Sequence, residues 1–261
     1  MRRSLAAAAL AVVASVGFVQ PASASTLFID NFTGPAGTKP DATKWSEWSS
    51  CTYNGSAAYG KIGCGERATL DGAGHLQIPA TPTLGTSIST KDHSRFTTGL
   101  FEARMKIDTP SGYWPAFWML NNRPAGSPNY PRVGEVDALE AYTYYSDGYR
   151  RAVHNYSPAK GGVDQSWSGS ENPLCGNGNV KGAWHTYGAK VENTQVTFYF
   201  DGVQCGAPVL STEGGGKPWN FGSGYPYGLW PILTNAVDTV SGAPAPTASS
   251  TLLVDWVKVT R

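Results

Sequence analysis

The nine residues Gly134-Glu135-Val136-Asp137-Ala138-Leu139-Glu140-Ala141-Tyr142 place three carboxylates among apolar neighbours, at offsets of zero, two and five. Few backbone conformations can use such a pattern. On a regular strand side chains alternate, so Glu135 and Asp137 share a face and Glu140 points the other way. On a helix Glu135 and Glu140 stand about 140° apart, which separates them as well. A strand with a β-bulge between Asp137 and Glu140 gathers all three, because one extra residue restores the facing, and bulges are enriched beside functional sites. The spacing therefore predicts a bulged strand. Taken alone, the same triplet also suits a solvated strand or helix decorated with acids.

The rest of the chain reads as strands separated by turns. Its 31 Gly and 18 Pro are spread along the sequence, with short apolar or alternating runs between them. Leu76–Pro79 reads as a short strand. Gly99–Ile107 alternates, with Phe101, Ala103, Met105 and Ile107 on one face and Glu102, Arg104 and Lys106 on the other. Tyr113–Leu120 is almost wholly apolar, and Pro115 within it argues for a bulge or an edge position. Val133–Tyr142 carries the acids, and Arg150–Tyr156 follows. Trp184–Val191 and Val196–Phe200 come next, and Asp201-Gly202 supplies a hairpin turn into Val203-Gln204-Cys205. The closing strand is Leu252–Val259, after a Pro-, Ala- and Ser-rich loop at Ser241–Ser250. There is no convincing amphipathic helix, internal repeat or long linker. The pattern predicts an all-β fold, an antiparallel β-sandwich or jelly roll, in one domain.

Residues 1–24 read as a secretory signal peptide. Arg2 and Arg3 form the basic n-region, Leu5–Val19 the apolar h-region, and Ala22-Ser23-Ala24 the cleavage site. The expected mature chain is 25–261, secreted and extracellular, with no membrane association after cleavage. Without the leader, 18 basic residues stand against 19 acidic ones, which gives no electrostatic footprint for nucleic acid. Nine Trp and 13 Tyr instead suit aromatic binding surfaces. Cys51, Cys64, Cys175 and Cys205 form no Cys-x-x-Cys pair, so disulfides are expected in an oxidising compartment. The sequence-local pairing Cys51–Cys64 and Cys175–Cys205 is favoured.

Two carboxylates flanking a sugar bond, with a third between them, are what glycoside hydrolysis needs. Two further stretches precede the acids and sharpen that reading: Phe101-Glu102-Ala103-Arg104 and Trp114-Pro115-Ala116-Phe117-Trp118-Met119-Leu120, in that order. With Trp184-His185-Thr186-Tyr187, the Phe198–Gly202 hairpin and Val254-Asp255-Trp256-Val257-Lys258-Val259, they make the chain resemble glycoside hydrolase family 16 over nearly the whole mature length. The resemblance implies a jelly roll with a concave sugar-binding cleft and retaining endo-hydrolysis of a β-linked polysaccharide by a monomer, with no cofactor required for catalysis. It assigns Glu135 as nucleophile, Glu140 as acid/base and Asp137 as the helper between them. The six-residue spacing is similar to that of the branch containing laminarinases, agarases and carrageenases.

A β-1,3-glucan is the expected substrate. The alternatives are a β-linked galactan of agar or carrageenan type, transglycosylation, and a non-catalytic sugar-binding jelly roll. Asn129-Tyr130-Pro131-Arg132-Val133 replaces the Trp-Pro that usually precedes the acids in laminarinase-like members. Trp114, Trp118, Arg104 and His154 are the expected substrate-binding residues, while His185 reads as structural. Asp255 interrupts the apolar row Leu253, Val257, Val259 and needs something to satisfy its charge. The resemblance suggests a structural Ca2+ there. Gly-x-Ser-x-Gly, His-Glu-x-x-His and phosphate-binding Gly-Lys-Ser/Thr motifs are missing, which removes the corresponding hydrolase classes.

Overall fold

The computed structural model describes residues 24–47, 67–121, 133–145, 149–156, 167–170, 180–210 and 227–261. Almost all of the expected leader, and Cys51, Cys64 and Cys175, lie outside them, so the disulfide pairing does too. The described strands, in chain order, are β1 (Thr26–Asp30), β2 (Ser46–Glu47), β3 (Thr69–Leu70), β4 (Leu76–Ala80), β5 (Thr86–Ser89), β6 (Gly99–Lys106), β7 (Tyr113–Leu120) and β8 (Val133–Glu140). They continue with β9 (Arg150–Tyr156), β10 (Trp167–Ser170), β11 (Trp184–Val191), β12 (Gln195–Phe200), β13 (Val203–Gln204), β14 (Val209–Leu210), β15 (Trp230–Val237) and β16 (Ser250–Thr260).

These strands form two antiparallel sheets. The first runs β13-β12-β11-β6-β16-β4-β3, with β1 also paired to β16 and β14 to β12. The second runs β10-β9-β8-β7-β15-β5-β2. Among the described strands the chain passes between the sheets after β1, β2, β4, β5, β6, β10, β14 and β15, so neither sheet is built from one continuous stretch. The fold is a jelly-roll sandwich, as the turn spacing predicts.

Alternation decides which residues face the core. In β6, Phe101, Ala103 and Met105 are buried while Glu102, Arg104 and Lys106 turn outward. In β7, Phe117 and Met119 are buried and Trp114 and Trp118 are half-exposed. Phe117, Met119, Val136, Leu139 and Leu233 of the second sheet share one apolar core with Phe101, Met105, Tyr187, Phe198 and Val257 of the first. Each such side chain contributes roughly 1.5–3 kcal/mol by leaving water.

Pro115 does not place β7 at an edge. The strand lies between β8 and β15, and Pro115 sits near its start, where its carbonyl accepts a hydrogen bond from the Ala141 amide at 2.9 Å. The missing N–H costs little at that end. The hairpin turn at Asp201-Gly202 has φ of 47° and 77°, the left-handed pair that a two-residue turn requires. In β16 the register slips between Val254 and Trp256. Asp255 is thus an inserted residue, and the buried row is Leu252, Val254, Val257 and Val259 rather than one that includes Leu253.

The facing of β7 is testable by two truncations on neighbouring residues. Phe117→Ala should cost about 3–5 kcal/mol, as a large cavity in a packed core does. Trp118→Ala, on the outer face, should cost clearly less. Urea unfolding midpoints would check the order; equal losses would contradict the assignment of faces.

Candidate active site

β8 has the bulge that its sequence demands. Against β7, Glu135 pairs with Leu120, Val136 with Met119 and Asp137 with Trp118; the register then slips, and Leu139 pairs with Phe117 and Glu140 with Ala116. Against β9 the slip falls between Asp137 and Glu140. Ala138 is the extra residue, buried together with Leu139. Glu135, Asp137 and Glu140 consequently oppose Leu120, Trp118 and Ala116, which share the outer face of β7. The strand is fixed at its start by a reciprocal pair: the Gly134 amide donates to Asn121 Oδ1 at 2.8 Å, and the Asn121 amide donates to the Gly134 carbonyl at 3.0 Å.

The neighbouring strands complete the face. On β9, His154 lies directly opposite Glu135, closer than the sequence suggests, and Arg150 lies opposite Glu140. His154 Nε2 is 3.3 Å from Asp137 Oδ2. On the β7 side, Trp118 Nε1 donates to Thr234 Oγ1 at 3.0 Å, and that hydroxyl pairs with Ser87 Oγ at 2.7 Å. Trp118 is therefore a tethered outer-face ring and not a core residue. Trp230, opposite Leu120 on β15, fills the same face at the Glu135 end and lies beneath Arg95, 4.8 Å from ring centroid to guanidinium carbon.

At the other end, Trp114 stacks on Tyr142, with centroids 4.8 Å apart and planes 25° apart. The Arg150 guanidinium lies over the Tyr142 ring at 5.1 Å, and the Tyr142 hydroxyl donates to Glu140 Oε1 at 3.2 Å. Tyr142, Arg150, Thr234 and Trp230 were not legible as site residues. Tyr142 follows Glu140 by two positions, but only the end of the strand at Glu140 brings its hydroxyl back onto the carboxylate.

Glu140 is the carboxyl whose environment is most altered. Burial pushes its pKa up to about 8, and the negative charge of Asp137 acts in the same direction. His154, the Tyr142 hydroxyl and Arg150 oppose the rise without cancelling it. Near neutral pH, Glu140 thus holds a proton that an ordinary glutamate has lost. A protonated carboxyl beside ionisable ones is the division of labour that acid and nucleophile roles require.

Two expected residues lie elsewhere. Arg104 is on the outer face of β6, in the opposite sheet, where its guanidinium pairs with the Asp255 carboxylate and lies 5.1 Å from the Trp184 ring. The core separates it from the acids, so it is removed from the substrate-binding set. That ion pair also satisfies the charge of Asp255. A calcium ion there would have to displace the guanidinium, and Asp255 belongs to no group of three metal-ligating side chains among the described residues. The Arg104 pair thus accounts for the Asp255 carboxylate without an ion. The group of three that does occur is Glu135, Asp137 and His154, with ligand atoms within 4.8 Å of one another. Two carboxylates and an imidazole can accept a divalent ion, but here they belong to the acid cluster. His185 is structural, its Nδ1 held 2.8 Å from Asp201 Oδ2 at the hairpin.

The proton on Glu140 has a consequence for stability. With the folded pKa raised, the native state binds more protons than the unfolded chain, so stability is full below the ordinary glutamate range and is lost as pH rises through about 8. Glu140→Gln removes this ionisation. Thermal unfolding between pH 5 and 9 should show the variant gaining on the parent as pH rises; parallel curves would contradict the buried, protonated acid. Arg104→Gln should lower stability by no more than about 1 kcal/mol, since the pair is partly exposed. Chelator should leave the melting temperature of the parent unchanged.

Comparison with known proteins agrees with this geometry. The chain is 36% identical over 66 residues to a beta-glucanase of Rhodothermus marinus, and 26% identical over 186 residues to a kappa-carrageenase of Pseudoalteromonas carrageenovora. Those matches cover 25% and 62% of this chain, and it spans 23% and 46% of the two relatives' lengths. Among solved structures, an immunostimulatory antigen and pseudo beta-1,3-glucanase of Mycobacterium tuberculosis superposes with a TM-score of 0.68 at 25% identity, covering 90% of this chain and 98% of that one. The profile of glycosyl hydrolases family 16 matches residues 56–218, which include β8 and all three acids. The chain belongs to glycosyl hydrolases family 16.

Proposed function

We propose that the chain is a secreted, retaining endo-β-glycanase that cleaves internal bonds of a β-1,3-glucan. The observation that carries this reading is the bulged strand β8, which holds Glu135, Asp137 and Glu140 on one face with Glu140 protonated near neutral pH. The ionised Glu135 carboxylate attacks the anomeric carbon. The bond to the leaving oxygen breaks as Glu140 gives that oxygen its proton, and a glycosyl ester on Glu135 results. Glu140, now ionised, takes a proton from water; the hydroxyl oxygen displaces Glu135 from the anomeric carbon with net retention. Asp137, between the two and in contact with His154, couples their ionisation as one system.

The half-exposed Trp114 and Trp118 rings offer apolar faces for sugar, and His154 adds a polar contact beside Glu135. The basic, apolar and small-residue segments of residues 1–24 support export. The beta-glucanase among the relatives supports a glucan. The kappa-carrageenase relative keeps a β-linked galactan as the second reading. The likeness to a protein described as a pseudo beta-1,3-glucanase makes a non-catalytic sugar binder the rival from another class. The intact acid triplet favours catalysis over that rival.

Reducing-sugar release from laminarin, mixed-linkage glucan, agarose and carrageenan tests the substrate, and activity on the galactans alone would reverse the choice. Glu135→Gly should abolish polymer hydrolysis, while azide should restore turnover of an activated aryl glycoside and yield the α-glycosyl azide. Glu140→Ala should retain more activity on such glycosides and yield the β-azide. An external anion enters from the face whose carboxylate is missing, so an α-azide from the Glu140 variant would exchange the two roles. Inverted product from the native protein would remove the mechanism.

A further inference from the structure

We propose that Tyr142 is a positioning residue for the proton of Glu140: by donating its hydroxyl to Oε1, it makes that atom the carbonyl oxygen of the neutral acid and leaves the transferable proton on Oε2. The inference rests on the reading of Glu140 as acid/base and adds the residue that orients it.

A neutral carboxyl has two unlike oxygens, one bearing hydrogen and one only accepting. Left unconstrained, the proton can sit on either, and half of those arrangements aim it away from the bond to be broken. Among the described residues the Tyr142 hydroxyl is the one hydrogen-bond partner of Glu140, 3.2 Å from Oε1. An oxygen that accepts a phenolic proton is the poorer site for a second one. The acid proton is thereby assigned to Oε2.

The phenol is itself held in place. Its ring is stacked on Trp114, with centroids 4.8 Å apart, and the Arg150 guanidinium lies over it at 5.1 Å. Trp114 belongs to β7 and Arg150 to β9, so the strands on both sides of β8 fix a residue just beyond its end. The phenol also stays a donor, because burial and the neighbouring Glu140 charge hold its pKa far above the ordinary phenol value. The other titratable groups on the face of Glu140 are Asp137 and Glu135 on its own strand and Arg150 and His154 on β9; the β7 residues of that face, Trp114, Ala116 and Trp118, are uncharged. Once Glu140 has given up its proton, the same hydroxyl stabilises the carboxylate left behind. One bond therefore serves both halves of the transfer.

Tyr142→Phe keeps the ring and its stack while deleting the hydroxyl, and thermal unfolding would verify that the fold survives. The readout is kcat/KM, which reports formation of the glycosyl ester, on two substrates: the polysaccharide cleaved best and an aryl glycoside with a 2,4-dinitrophenolate leaving group. Polysaccharide kcat/KM should fall about tenfold, a fraction of the whole acid contribution, through kcat with KM held. The aryl glycoside, whose leaving group needs no proton, should change less than twofold. The alkaline limb of the polysaccharide profile should move to higher pH, because the ionised acid has lost a donor. Equal losses on both substrates, or an unmoved alkaline limb, would reduce Tyr142 to packing and overturn the proposal. The azide product of Glu140→Ala separates the two levels. A β-azide alongside equal losses in Tyr142→Phe sinks only this inference, whereas an α-azide sinks the acid/base reading beneath it.

Discussion

A single inserted residue, Ala138, sets the terms for everything else in the second sheet. Strand β8 must supply Val136 and Leu139 to the apolar core and three carboxylates to the outer face. Strict alternation satisfies the first five positions and then fails, because Glu140 would fall on the core side. An unpaired glutamate in that core would cost several kcal/mol or force a backbone shift. The bulge resolves the conflict by advancing the register one residue, and both neighbouring strands record the slip at the same place.

The electrostatics follow from that crowding. Carrying acids at successive outward positions of one strand brings like charges together in a partly dehydrated setting, and one of them keeps its proton. Glu140 is that one because it sits at the strand end against Trp114 and Tyr142, where burial is its largest perturbation. His154 faces the opposite end and lies against Asp137. A gradient along one strand thus separates a proton-holding end from an imidazole-supported end.

Where the sequence was legible, the physics was local. The bulge, the facing of β6 and the Asp201-Gly202 turn each follow from spacing and residue type within a few positions. Strand β15 has no such signal, because all eight of its residues are buried and nothing alternates. Nothing in the residues around Asp255 announces the bulge there, so simple alternation puts Leu253 in the buried row in place of Leu252 and Val254. The motif around Arg104 does not say which sheet it joins; strand order decides that, and β6 lies between β11 and β16. Tyr142 and Arg150 meet Glu140 through tertiary contacts that no window of sequence contains.

The position of β8 within its sheet has a dynamic consequence. It is bonded on both sides, to β7 and β9, and β7 is in turn covered by β15. Amide groups on such an interior strand exchange with solvent only when the sheet as a whole opens, whereas peripheral strands and loops open locally at lower free energy. The three acids therefore sit on a strand that is bonded on both sides and opens only with its sheet. Their geometry should persist through every partial opening of the periphery and disappear only with the cooperative unit itself. The spacing of the carboxylates is thus held by a strand paired on both sides, and changes at the edges of the sheet leave it in place.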